Sequence, residues 1–109
     1  MPADYVESLE KQPFESFSPG FDFAADLDSS ETISSATVTA IDLDDRNPAS
    51  TLILSGSPQI QNGDQSNSVV VQRVNSGISG KRYKIAFKVT TSDGNGFQAN
   101  INLTVKEQN

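Results

Sequence analysis

The stretch Tyr83–Val105, YKIAFKVTTSDGNGFQANINLTV, decides the fold. Its first limb places Tyr83, Ile85, Phe87 and Val89 at odd positions with Lys84, Lys88 and Thr90 between them. Its second limb places Phe97, Ala99, Ile101, Leu103 and Val105 against Gln98, Asn100, Asn102 and Thr104. A period of two is the signature of a half-buried strand, so both limbs have an apolar face and a polar face. Antiparallel neighbours opposite one another share a face, so the two odd rows coincide only if odd residues oppose odd residues. Pairing Thr91 with Phe97 meets that condition and opposes Val89 to Ala99, Phe87 to Ile101, Ile85 to Leu103 and Tyr83 to Val105. Ser92, Asp93, Gly94, Asn95 and Gly96 are then the hairpin loop, with glycines supplying positive φ and Asp and Asn favouring the turn. A loop explained by backbone geometry needs no ligand, and at the end of a sheet it is a candidate docking tip.

Upstream of the hairpin the same texture repeats. Phe21 and Phe23 stand two apart after a Pro-Gly turn, and Ala36, Val38 and Ala40 alternate with Thr37, Thr39 and Ile41. TLILSG reads as a short strand closed by Gly56, Asn62-Gly63 as a turn, and SVVVQRV as a further strand. No segment of the domain carries a helical period, so short strands separated by turn signals indicate an all-β sandwich of about seven antiparallel strands. Residues 1–12 are acidic and weakly patterned and read as an N-terminal arm, flexible or docked on a partner, leaving 13–109 as the domain. Tyr83, near the start of the penultimate strand and two residues before Ile85, fits the tyrosine corner of immunoglobulin-type sandwiches and equally an ordinary core tyrosine.

With 109 residues the chain fits a single domain. Its formal charge of −6, from 14 acidic and 8 basic residues, opposes phosphate and argues against nucleic acid as a ligand. The basic residues Arg73, Lys81, Arg82 and Lys84 form a local patch that reads as a solvated face. There is no Cys and no His, which removes disulfides, thiolate chemistry and the side chain most used for acid–base work near neutral pH. No run approaches the ~20 apolar residues of a membrane helix, and no signal peptide is evident, so a soluble chain without a membrane partner is expected.

The motifs that could carry chemistry are few. Asp42, Asp44, Asp45 and Asn47 crowd oxygens into DLDDRN, but calcium takes about 6–8 oxygen ligands and the spacing matches no EF-hand, so a solvated acidic turn is the plainer reading. No phosphate-binding glycine loop and no G-x-S-x-G nucleophile turn is found. Asn102-Leu103-Thr104 matches a glycosylation pattern on the polar face of a strand, where Asn and Thr are common anyway. Neither a catalytic site nor a cofactor or metal site is expected.

Taken in order, EKQPFESF, FDFAADLDSSETISSATVTA, LILSG, SGKRYKIAFKVTTSDG and NINLTVKE resemble small virion proteins of tailed bacteriophages and prophages with an immunoglobulin-like sandwich, of the fibre-associated adaptor type. ETISSATVTA and the run from Gly80 to Gly94 carry most of the likeness, which spans about residues 10–107. The segment SPQIQNGDQSN and the absence of Trp depart from that pattern. The resemblance implies a non-enzymatic structural subunit of the neck, tail or fibre, present in several copies, contacting other virion proteins and made in the host cytoplasm. An extracellular adhesion or ligand-binding module of a bacterial surface protein is the alternative.

Overall fold

The computed structural model describes residues 5–107. Seven strands lie among them: β1 Tyr5–Lys11, β2 Gly20–Asp22, β3 Ile33–Asp42, β4 Leu54–Gln61, β5 Val69–Val74, β6 Arg82–Thr91 and β7 Gly96–Val105. A 3₁₀ turn, Ala24–Asp26, follows β2, and one helical turn, α1 Ser50–Ile53, precedes β4. Two sheets result, one in the order β1-β7-β6-β3 and the other β2-β5-β4. Lettered A to G in chain order, the strands give C-F-G in one sheet and B-E-D in the other, the partition of immunoglobulin sandwiches. The first strand departs from that scheme by joining the sheet that contains the last.

The inward rows of the terminal hairpin build the core. Tyr83, Ile85, Phe87 and Val89 are buried on β6, and Ala99, Ile101, Leu103 and Val105 on β7. From the opposing sheet come Phe21, Val70 and Val74, with Phe23 and Ile53 contributed from beside it. Phe21 of β2 meets Phe87 of β6 edge to face, with ring centroids 5.1 Å apart, and so ties the two sheets together. Each fully buried Val, Leu, Ile or Phe side chain among them contributes about 1.5–3 kcal/mol.

The hairpin register is offset by two residues from the one the odd-row argument predicts. Val89 faces Phe97, Phe87 faces Ala99, Ile85 faces Ile101 and Tyr83 faces Leu103. Faces are unchanged, because a shift by two preserves them, and for the same reason alternation alone cannot choose between the two registers. Thr90 pairs with Gly96, so Gly96 is the first residue of β7 and the loop shrinks to residues 92–95.

Residues 5–11, expected as part of an arm, form β1 and run parallel to β7 from Tyr5↔Ala99 to Lys11↔Val105. Among the described residues this is also the one parallel pairing in a sandwich expected to be wholly antiparallel. Residues 1–4 lie outside the described residues. The strand is hidden in the sequence because an inward position holds a lysine: Lys11 is 2% exposed, and its Nζ donates to the carbonyls of Gln12, Pro13 and Ser76. Those bonds satisfy the ammonium without a carboxylate, although burial lowers the Lys11 pKa against a smaller opposing pull from Glu15.

TLILSG is the other departure. Ser50 Oγ accepts the Ala40 amide at 2.9 Å while the Ala49 amide donates to the Ala40 carbonyl at 2.8 Å, which pins this segment to the edge of β3. The chain turns once through α1, buries Ile53, and enters β4 only at Leu54. β4 then continues past Gly56, through a register shift between Ser55 and Gln59, to Gln61.

Candidate interaction surface

Three connections meet at one end of the sandwich: residues 23–32 after β2, 62–68 between β4 and β5, and 92–95 between β6 and β7. Glu31 joins the first and the last of them. Its carboxylate is buried, with Oε1 accepting the Asp28 amide at 3.0 Å and Oε2 accepting the Thr91 hydroxyl and, at 2.8 Å, the Asn95 side-chain amide. The Thr91 hydroxyl in turn accepts the Asp93 and Asn95 amides at 3.3 and 3.1 Å. A second tie joins the same loops, because the Ser92 amide donates to the Thr32 carbonyl at 2.8 Å and the Thr32 amide to Ser92 Oγ at 3.1 Å.

This network gives the SDGNG loop its shape. The Gly94 amide donates to the Thr91 carbonyl at 3.0 Å, and Gly94 takes φ +85°, the left-handed region that glycine enters without steric cost. Ser92, Asp93, Gly94 and Asn95 all stay exposed at the tip. Gly96 has no positive φ and no close neighbour, so its place in the loop motif owes nothing to turn geometry.

The opposite wall is set by Asp22. Its Oδ2 accepts the Asp64 amide and its Oδ1 the Ala24 amide, both at 2.9 Å, which fixes the 62–68 connection to the end of β2. Between the walls lies a polar hollow of about 520 Å³, lined by Ser29, Ser30, Thr32, Asp64, Gln65 and Ser66 together with Glu31. Burial pushes the Asp22 carboxyl up, but hydrogen bonds from Asp64, Ala24 and Ser68 together carry it below its ordinary value. The Thr91 hydroxyl, with the Asp28 amide and the Asn95 side chain, holds Glu31 below its own.

Carboxylate oxygens of Asp28, Glu31 and Asp93 approach within 4.8 Å of one another. Both Glu31 oxygens are already engaged by donors within the protein, and three carboxylates fall well short of a calcium shell. The arrangement is a loop clamp with exposed acids on its rim. Glu31 was not singled out from sequence, and its only signal there is an acid beside a Thr just ahead of an apolar strand.

The acidic turn 42–47 lies at the other end. Asp42 Oδ1 accepts the Asp44 amide at 2.8 Å and its Oδ2 meets Lys81 Nζ at 3.0 Å, while Asp45 caps the Asn47 amide at 3.0 Å. The Asp44 amide, then Lys81, lower the Asp42 pKa, and Asp42 raises that of Lys81. These oxygens serve the turn and the neighbouring Lys81, and Arg82 stands 3.7 Å from Asp44. Tyr83 is also at this end, buried, with its hydroxyl accepting the Ile78 amide at 3.2 Å from five residues upstream.

No helix among the described residues is long and apolar enough to cross a membrane. The family model described as podophage GP4 fiber-tail adaptor protein gp77 matches residues 11–104. Comparison with curated proteins gives no match. Among solved structures the chain is similar to the titin M3 domain, with 13% identity, 98% of this chain and 96% of that chain covered, and a TM-score of 0.44.

Proposed function

The chain belongs to the podophage GP4 fiber-tail adaptor family, and from that membership we propose how its sandwich performs an adaptor's work. It is a structural adaptor of the phage virion, assembled in the host cytoplasm, and it binds other virion proteins. The family match over residues 11–104, which takes in the core and all three clamped loops, is the observation that carries this reading.

The mechanism is geometric and non-enzymatic. A docking surface loses least free energy on binding when its loops are already ordered. Glu31 supplies that order, since one buried carboxylate fixes the Asp28, Thr91 and Asn95 segments together. Ser92, Asp93, Gly94 and Asn95 then form a preformed tip that contacts a neighbouring subunit, and several copies act in one particle without a nucleic-acid or membrane ligand. At the far end Tyr83 acts as a tyrosine corner, holding the 75–81 connection through the Ile78 amide.

Particles assembled with Asp28→Ala/Asp93→Ala in place of the native chain test the docking tip. Both side chains are exposed, so the variant is expected to keep its melting temperature and to enter particles less, read by quantitative mass spectrometry of purified virions. Full incorporation with native fibre content would remove the loop end from the contact.

A further inference from the structure

The outward positions of β3, β6 and β7 carry Arg82, Lys84 and Lys88 and no carboxylate, the acid on that face being Glu10 of β1 beside Thr104, in a chain whose formal charge is −6. Lys81 and Arg82 have acidic partners within 4.0 Å, but among the described residues neither Lys84 nor Lys88 does. Between the two lysines the outward Ala86 is only 8% exposed, because it forms the floor of a hollow of about 170 Å³ walled by Thr39, Ile41, Lys84, Lys88 and Gln98. The opposite pattern holds at the clamped loop end. Residues 23–32, 62–68 and 92–95 contain Asp26, Asp28, Glu31, Asp64 and Asp93 and neither Lys nor Arg.

We propose that copies of this chain pack head to face, the acidic loop end of one seating on the Lys84–Lys88 face of the next. Charges of opposite sign that lack partners within their own molecule steer encounter and set register when two surfaces meet. Shape agrees with sign. Lys84 and Lys88 are four residues apart on one strand, about 13 Å at the usual rise, whereas the two strands of a hairpin tip lie about 5 Å apart. The tip at Asp93 and Gly94 therefore fits between the lysines, over the hollow floored by Ala86. Because the two surfaces differ, the contact is heterologous, and it propagates into a ring or a filament according to its rotation. This inference rests on the loop end being a contact surface and adds the identity of its neighbour, a second copy.

The test uses the full chain in sedimentation velocity at about 0.1 mM, where a contact with a Kd of that order is well populated. Raising salt from about 0.1 M to about 1 M shortens the screening length from about 10 Å to about 3 Å. The native chain is expected to associate at the lower salt and to be monomeric at the higher. Lys84→Glu/Lys88→Glu and Asp28→Lys/Asp93→Lys are each expected to be monomeric at low salt with unchanged melting temperature. An equimolar mixture of the two should associate again, because the reversed charges complement each other. If one variant melts early, Lys84→Gln/Lys88→Gln or Asp28→Asn/Asp93→Asn replaces it, with loss of low-salt association as the expected result. A native chain that is monomeric at low salt, variants that associate like it, or a mixture that stays monomeric would each overturn the proposal. A monomeric native chain whose Asp28→Ala/Asp93→Ala form still fails to enter particles would leave the loop end as a contact for a different protein.

Discussion

Glu31 and Thr91, 60 residues apart in sequence, are hydrogen-bonded inside one end of the sandwich, carboxylate to hydroxyl. The bond joins the connection that follows β2 to the last residue of β6, so the two sheets are linked at the end from which the exposed loop projects. Thr91→Val keeps the shape and removes the hydroxyl, leaving Glu31 one donor short and freeing the Asp93 and Asn95 amides. An unmet buried polar group costs about 1–3 kcal/mol. The expected result is a loss of that size in chemical denaturation, with faster amide exchange at residues 93 and 95; exchange no faster than in the native chain would mean that the loop holds its shape without Thr91.

Three carboxyls with folded pKa values below their ordinary ones make stability depend on acid. For Glu31, Asp22 and Asp42 the unfolded chain takes up protons more readily than the folded one. Their contribution is therefore full above the ordinary carboxylate range, near pH 4, and is lost as pH falls through the lower folded values. Lys81, raised by Asp42, behaves in the opposite sense: its contribution is full below the ordinary lysine value and fades as pH rises through the folded one. Melting temperature against pH should show a plateau with a fall on the acid side, and Glu31→Gln should make that fall shallower. An unchanged acid limb in Glu31→Gln would remove Glu31 from the effect.

What could be read from sequence follows from which residues face inward. The odd rows of Tyr83–Val105 announce their strands because their inward positions are apolar apart from Thr91 at the loop. Glu31, Lys11 and Gln72 are as buried as the aliphatic residues, and their partners lie far along the chain or on the main chain, so no side-chain pattern marks them as interior. β1, with its inward Lys11, is not legible in the sequence for that reason, and neither is the parallel edge it makes. The register slip has another cause: the Thr91 side chain tightens the turn by binding Glu31, a contact supplied by a different part of the fold.

The two glycines of SDGNG are predicted to differ. Gly94 sits at φ +85°, where a side chain crowds the backbone and costs about 1–2 kcal/mol, although the space around it is open. At Gly96 the backbone is ordinary, and an added Cβ would lie 3.8 Å from the nearest atom, the Val89 carbonyl oxygen. Gly94→Ala should lower stability by about 1–2 kcal/mol, and Gly96→Ala should leave it within about 0.5 kcal/mol. Equal effects at the two sites would contradict the tight four-residue loop.

Tyr83 separates a corner from a filler by its hydroxyl alone. The ring is buried, so Tyr83→Phe keeps the packing and removes only the acceptor of the Ile78 amide. A tyrosine that merely fills the core would tolerate the change, because no buried group loses a partner. A corner would not, since the Ile78 amide would have to find water or stay unpaired, at about 0.5–1.5 kcal/mol, or several degrees in Tm for a chain near 100 residues. The loss should come with faster exchange of the Ile78 amide and with no change in the clamped loops at the far end. Gly77 supports this reading, because at φ +101° its Cα faces Val105 so closely that an added Cβ would lie 2.7 Å from the valine Cγ2. The 75–81 connection is thus pressed onto the core, and Tyr83→Phe with native stability and native exchange at residue 78 would show that this pressing alone holds it.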